Sequence, residues 1–161
     1  MGIDPGASGG VAVIRDGILT AWPMPDSEHD LWDLFLPLIG ADAFAVVEKV
    51  TGYVGNKGDP GSAMFTFGVS YGMLRMALVA ACIPHELVVP RTWQKGLGIA
   101  SRDKTETRTD WKNRLKANAA RLFPSSPVTL KTADAILICE YCRRSRQHAF
   151  HNGGTTEGAG S

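Results

Sequence analysis

The sequence predicts an α/β domain built on a mixed central sheet flanked by helices, and three observations predict it. Short apolar, β-branched runs of strand length are bounded by glycine and proline. Between them, apolar residues recur every three to four positions, the period of an amphipathic helix. At 161 residues the chain has the size of one domain with a single core.

The elements follow in order. Met1 to Asp4 is too short for a full strand. Val11–Ile14 and Ile18–Trp22 flank Gly17 and read as a hairpin, 9–15 into 18–22, which Pro23 and Pro25 end. Asp26 or Ser27 caps a helix over 28–38, with Leu31, Leu34, Phe35 and Leu38 on one face. Phe44–Val47 is a continuous apolar run ending at Glu48, as in a strand buried on both faces. Residues 52–61 form a glycine-rich loop. A helix over 62–82 follows, and Pro84 stops it. Leu87–Val89 is another buried strand, closed by Pro90. Residues 91–110 are basic and irregular or partly helical. Residues 111–122 form an amphipathic helix, with Leu115, Ala119 and Leu122 inward and the bases outward. A last helix spans about 131–146. The glycine-rich end, 147–161, is expected to be a flexible tail beyond a folded domain of 1–146.

Composition excludes several classes. Hydrophobic residues make up 44% and charged residues 20%, which is ordinary for a folded globular chain. No apolar run approaches the ~20 residues of a bilayer span, so no membrane partner is expected. No basic-then-apolar leader opens the chain, which points to an intracellular protein, cytoplasmic, nucleoid-associated or phage-encoded. Three cysteines, Cys82, Cys139 and Cys142, do not make a disulfide framework. The net charge of +1 hides an asymmetry: residues 1–50 hold eight acids against two bases, and residues 91–121 nine bases against three acids. Such a separation suits a protein that meets a polyanion on one face, although solvated helix faces give the same pattern.

Three acids stand where a lone carboxylate has little structural reason to be. Asp4 ends the first segment, before Pro5-Gly6-Ala7-Ser8-Gly9-Gly10. Glu48 ends an apolar run, and Asp134 lies in Thr132-Ala133-Asp134-Ala135-Ile136-Leu137-Ile138. A carboxylate in apolar surroundings is costly unless paired. A divalent cation held by several carboxylates offsets that cost, and magnesium prefers such oxygen ligands. Each acid alone also reads blandly, as a turn residue, a strand end paired with Lys49, or a helix N-terminal acid.

Together these residues carry a family pattern. Gly2-Ile3-Asp4-Pro5-Gly6 with Ser8-Gly9-Gly10, then Val47-Glu48-Lys49, then Ala133-Asp134-Ala135 with Leu137-Ile138, resembles the RuvC-type Holliday junction resolvases, above all their phage and organellar relatives. The resemblance spans about residues 2–144. It implies a ribonuclease H-like fold and a homodimeric Mg2+-dependent endonuclease, with Mn2+ able to substitute, that nicks four-way junction DNA symmetrically. Asp4, Glu48 and Asp134 match the family's metal ligands. The spacing of Lys112 from Leu122-Phe123-Pro124 matches a lysine placed near the active site in similar organellar and phage resolvases. That gives Lys112 a phosphate or transition-state contact. One departure stands out: bacterial resolvases carry a further acid three residues before the last aspartate, and here that residue is Lys131. One helical turn from Asp134, it would stand in for charge otherwise supplied by a metal, or touch the scissile phosphate.

Further contacts are assigned to DNA. Lys104, Arg108, Arg114 and Lys116 are candidates for backbone phosphates, and Tyr53, Asn56 and Lys57 for the centre of an open junction. Gly68 and Gly72, with Phe65, Met73 and Met76, mark a helix face for a two-fold interface. Trp22, Trp32, Trp93 and Trp111 read as core or lid residues, and Glu140 as turned away from the acids. Three other functions fit the residues less well: an actin-like ATPase, for which the chain is too short; a nuclease of the same fold acting on other branched DNA or RNA–DNA hybrids; and a junction binder without catalysis.

Overall fold

The structure, a computed structural model, describes residues 1–50 and 61–153. Tyr53, Asn56 and Lys57 lie outside the described residues. Five strands form one sheet in the order β3-β2-β1-β4-β5: β1 Gly2–Asp4, β2 Gly10–Arg15, β3 Ile18–Pro23, β4 Ala45–Glu48 and β5 His85–Val88. β2 is antiparallel to β1 and β3, whereas β1, β4 and β5 run parallel. The mixed sheet expected from the sequence is therefore present. The segment expected to be too short for a strand is its centre, because even three residues are held when strands pair on both sides.

Helices cover both faces. α1 (Glu28–Phe35) and α2 (Gly61–Ala80) pack on one; α3 (Pro90–Gly96), α4 (Arg108–Leu122) and α5 (Ala133–Gly153) pack on the other. The strand alternation divides the core. Ile3, Val11, Ala45 and Val47 face α1 and α2, whereas Ala12 and Val46 face α3, α4 and α5. Glu48 shares the parity of Val46, and Asp4 that of Gly2, so both acids emerge on the α5 side.

The helix limits have local causes. Ser27 caps α1, its hydroxyl accepting from Asp30 N–H at 3.1 Å. Pro37 tightens the end of the expected 28–38 helix into a 3-10 turn over Leu36–Leu38. Thr107 caps α4 in the same way, through Asp110 N–H at 3.1 Å, and the helix starts at Arg108, three residues before the expected 111. α5 begins two residues later than expected and runs to Gly153 rather than stopping at 146.

α2 departs from the sequence reading in composition. By length and apolarity it is long enough to cross a bilayer, which scanning for an unbroken apolar run missed because Thr66, Ser70 and Arg75 interrupt it. The Thr66 and Ser70 hydroxyls donate to the carbonyls of Ser62 and Thr66 at 3.0 Å, so these polar groups are satisfied along the helix itself. Leu74 and Leu78 are buried against the sheet and α1.

β1 and α5 are in close backbone contact. A Cβ on Gly2 would lie 2.1 Å from the backbone N of Cys139 and 2.4 Å from the carbonyl O of Ala135. Backbone cannot yield as a side-chain tip can, so only glycine lets α5 lie directly on the central strand. Gly2→Ala is expected to cost about 3 kcal/mol or more, read from urea unfolding, and to displace Asp134 from Asp4; an unchanged midpoint would mean that α5 does not press on β1.

Candidate active site

Three elements bring the acids together. Asp4 ends β1, Glu48 ends the parallel β4 beside it, and Asp134 sits in the first turn of α5. Ligand sites of open α/β sheets lie at the carboxyl ends of parallel strands, which is where Asp4 and Glu48 stand. The chain leaves β1 through Pro5–Gly9, a turn that folds back on Asp4. Gly9 N–H donates to Gly6 O at 2.9 Å, and a Cβ on Gly9 would lie 2.1 Å from Asp4 O. Gly6 takes a φ of 111°, a conformation open to glycine. Thr129 and Thr132 exchange hydrogen bonds before α5, at 3.0 and 3.2 Å, and so fix where the helix starts. The N-terminal turn then favours the negative charge of Asp134.

The cation among these acids is Lys112. Its Nζ donates to Asp134 Oδ2, forming an ion pair with a carboxylate that is almost fully buried. Lys112 lies on the inward stripe of α4, three residues before Leu115 and seven before Ala119. The sequence reading turned the bases of this helix outward, and for Lys112 the structure reverses that. Burial alone would lower its pKa, but Asp134, Asp4 and Glu48 outweigh it and hold the ammonium above the ordinary lysine value. Lys131 lies in the turn before α5 rather than on it, and is exposed, with its carbonyl against Gly10. The expected helical stacking of Lys131 on Asp134 does not form.

Charge in the cluster is unbalanced. Burial first, then the charges of Glu48 and Asp134, push the Asp4 carboxyl up to about 8, against a smaller pull from Lys112. Burial also raises Glu48, opposed by a hydrogen bond from the Trp93 indole. That N–H donates to Glu48 Oε2 at 3.0 Å from a ring only 1% exposed. Asp134 Oδ1 is buried with no hydrogen-bond partner among the described residues. Hard oxygen donors, an orphaned carboxylate oxygen and a surplus of negative charge fit a divalent cation. The described residues hold no ready cluster of three metal-ligating side chains, and the Asp134 carboxylate is paired with Lys112.

The remaining candidates are placed as follows. Lys104 and Arg108 are exposed and Lys116 is half-buried, all at or before α4. Arg114 is engaged: it pairs with both oxygens of Glu106 at 2.9 Å, donates to Ala100 O and Ser101 O, and stacks on Trp111 at 4.4 Å. It pins the loop before α4, and a phosphate contact would have to replace these bonds. Glu140 is buried and held by Arg143 and Arg144 at 2.7–2.8 Å, away from the three acids. Cys82, Cys139 and Cys142 are free thiols. Of the site residues, Trp93 was the one missed; its signal was a tryptophan just after Pro90, where β5 ends beside Glu48.

Asp4 gives a pH signature. Folding holds its proton up to about 8, whereas an unfolded aspartate releases it near the ordinary value of 3.8. Between those values the folded state binds more protons, so this contribution makes stability fall as pH rises. In chelator, the wild type should therefore lose more thermal stability between pH 5 and pH 8 than Asp4→Asn does. Equal slopes would mean that Asp4 ionises normally.

No protein-family model and no curated protein sequence matches the chain. Solved structures do. A structure of Thermus thermophilus RuvC superimposes with a TM-score of 0.56 at 15% identity, covering 92% of this chain and 95% of that one. T. thermophilus RuvC in complex with a Holliday junction substrate superimposes with a TM-score of 0.53 at 18% identity, covering 96% and 95%. At such identities the likeness speaks for architecture: the chain has the ribonuclease H-like fold of T. thermophilus RuvC.

Proposed function

We propose that this protein is a divalent-metal-dependent endonuclease that resolves four-way DNA junctions by paired nicks. The observation that carries the reading is the meeting of Asp4, Glu48 and Asp134, from three separate elements, around one half-buried lysine. Likeness in fold to a RuvC solved with a Holliday junction supports the choice of substrate. Asp4, Glu48 and Asp134 would hold Mg2+, or Mn2+ in its place. When bound, such a cation supplies the charge that activates water and stabilises a leaving oxygen. The chain's own part is to keep three carboxylates in a partly dry pocket and to present Lys112 beside them. Lys112, whose ammonium reaches Asp134, stands where it would meet the scissile phosphate and stabilise developing charge. Lys104, Arg108, Lys116 and Lys131 contribute phosphate contacts that position the duplex arms.

The working unit is a homodimer, with α2 as its interface. Phe65, Val69, Gly72, Met76 and Val79 recur at spacings of four and three along one exposed stripe, with Phe65 73%, Met76 61% and Val79 58% exposed. Among the described residues nothing lies within 4 Å of a Cβ added at Gly68 or Gly72, so these glycines serve no packing against them. A second copy of α2 would use both the apolar stripe and the close approach. Met76→Glu should shift the protein from dimer to monomer in light scattering, and a wild-type monomer at micromolar concentration would remove this interface.

Incubation with a synthetic four-way junction and a matched duplex tests the function. Nicking of the junction alone, in Mg2+ but not in chelator, is expected. Asp4→Asn, Glu48→Gln and Asp134→Asn should each lower the single-turnover rate about a hundredfold or more while keeping junction binding. Lys112→Ala should slow the chemical step more than it weakens binding. Cleavage of the duplex as well would point to a general nuclease of this fold, and binding without cleavage would contradict the enzyme.

A further inference from the structure

Residues 100–106, between the buried Ile99 and the Thr107 cap of α4, carry two exposed bases, Arg102 and Lys104, and two acids, Asp103 and Glu106. Both acids are engaged inside this loop. Asp103 Oδ1 accepts from the Thr105 N–H at 2.8 Å and from the Thr105 hydroxyl at 2.6 Å, a turn closed by the aspartate side chain with a base on either side of it. Glu106 accepts from Arg114 Nε and Nη2 at 2.9 Å, one on each oxygen. The same guanidinium donates to Ala100 O at 3.1 Å and to Ser101 O at 3.3 Å, so both ends of the loop meet on one side chain. The Trp111 ring lies against it, 4.4 Å away. A single solvent-facing ion pair adds little to global stability. A planar fork that holds a carboxylate and two carbonyls at once instead fixes where the chain runs. The Thr107 cap lies about 7.5 Å along α4 from Lys112 at 1.5 Å per residue. The loop thus stands about two phosphate spacings from the candidate site.

We propose that Arg114 and Glu106 are positioning residues for DNA: their pairing holds the loop 100–106 in the shape that presents Arg102 and Lys104 together to the phosphates of a junction arm; this rests on the nuclease reading above. Arg114 itself stays on the loop, because its hydrogen bonds and the indole occupy the guanidinium. An acid thereby takes part in holding a polyanion. A carboxylate beside exposed bases otherwise repels phosphate, and its removal would tighten binding. Here removal frees both ends of the loop from Arg114. Arg102 and Lys104 then lose their fixed spacing, and ordering the loop on DNA costs conformational entropy.

Binding of a fluorescent four-way junction in chelator, followed by anisotropy over a range of salt, tests this. Glu106→Ala removes an acid, yet should weaken binding about tenfold. The slope of log affinity against log salt should become shallower by about two, one for each base. Arg114→Lys keeps the charge but lacks the fork, and should move both quantities the same way. Replacing Arg102 and Lys104 by alanine together should weaken the wild type by a similar factor and Glu106→Ala little further. Equal or tighter binding by Glu106→Ala would overturn the proposal. A full additive loss, the mark of general damage to the fold, would overturn it too. Should Glu106→Ala fail to fold, undiminished binding by Arg114→Lys would do the same. A wild type that binds no junction, in chelator or in Mg2+, would overturn the nuclease reading and the proposal with it. Without DNA, trypsin should cut after Arg102 and Lys104 faster in both variants than in the wild type, and unchanged cutting would show that the pairing does not hold the loop.

Discussion

The whole site depends on how closely the backbone of α5 lies against β1. At Gly2 the two main chains approach to a distance that no side chain permits. That contact places the first turn of α5, and Asp134 with it, at the carboxyl end of the central strand. Asp4 is already there, and β4 delivers Glu48 from the adjoining parallel strand. A helix resting one methyl group higher would leave three unrelated acids at three element ends. The glycine turn after Asp4 acts in the same direction, because it lets the chain fold back without filling the space in front of the carboxylate.

Gathering acids has an electrostatic cost, and the molecule offsets it in separate ways. Burial and the neighbouring acids favour the protonated form of Asp4, Lys112 neutralises Asp134, and Trp93 donates to Glu48. Each device treats one carboxylate. None satisfies the buried Oδ1 of Asp134. The chain itself thus compensates part of the charge it gathers, and a divalent cation would compensate the rest.

Much of this was legible in the sequence, for identifiable reasons. The glycine-rich stretch after it marked Asp4, the end of an apolar run marked Glu48, and a small-residue, apolar setting marked Asp134. The hairpin turn at Gly17 and the proline stops set most element limits. Other features depended on tertiary context. A three-residue β1 gains its standing only from partners on both sides. Lys131 drew attention by its position in the chain, yet the cation that reaches Asp134 is Lys112. The family resemblance had named Lys112 from its spacing to Leu122-Phe123-Pro124, although the helix pattern turned its bases outward. Arg114 looked like one more base for DNA until Glu106 folded back onto it. Trp93 gave no local signal beyond Pro90, because its partner lies 45 positions earlier in the chain.

The proposed function depends on Asp4, Glu48 and Asp134 holding a divalent cation beside Lys112. Crystals soaked in Mn2+ and measured at the manganese absorption edge test it most directly. The account predicts an anomalous peak bounded by Asp4, Glu48 and Asp134, beside Lys112. No peak there at saturating Mn2+ would contradict it.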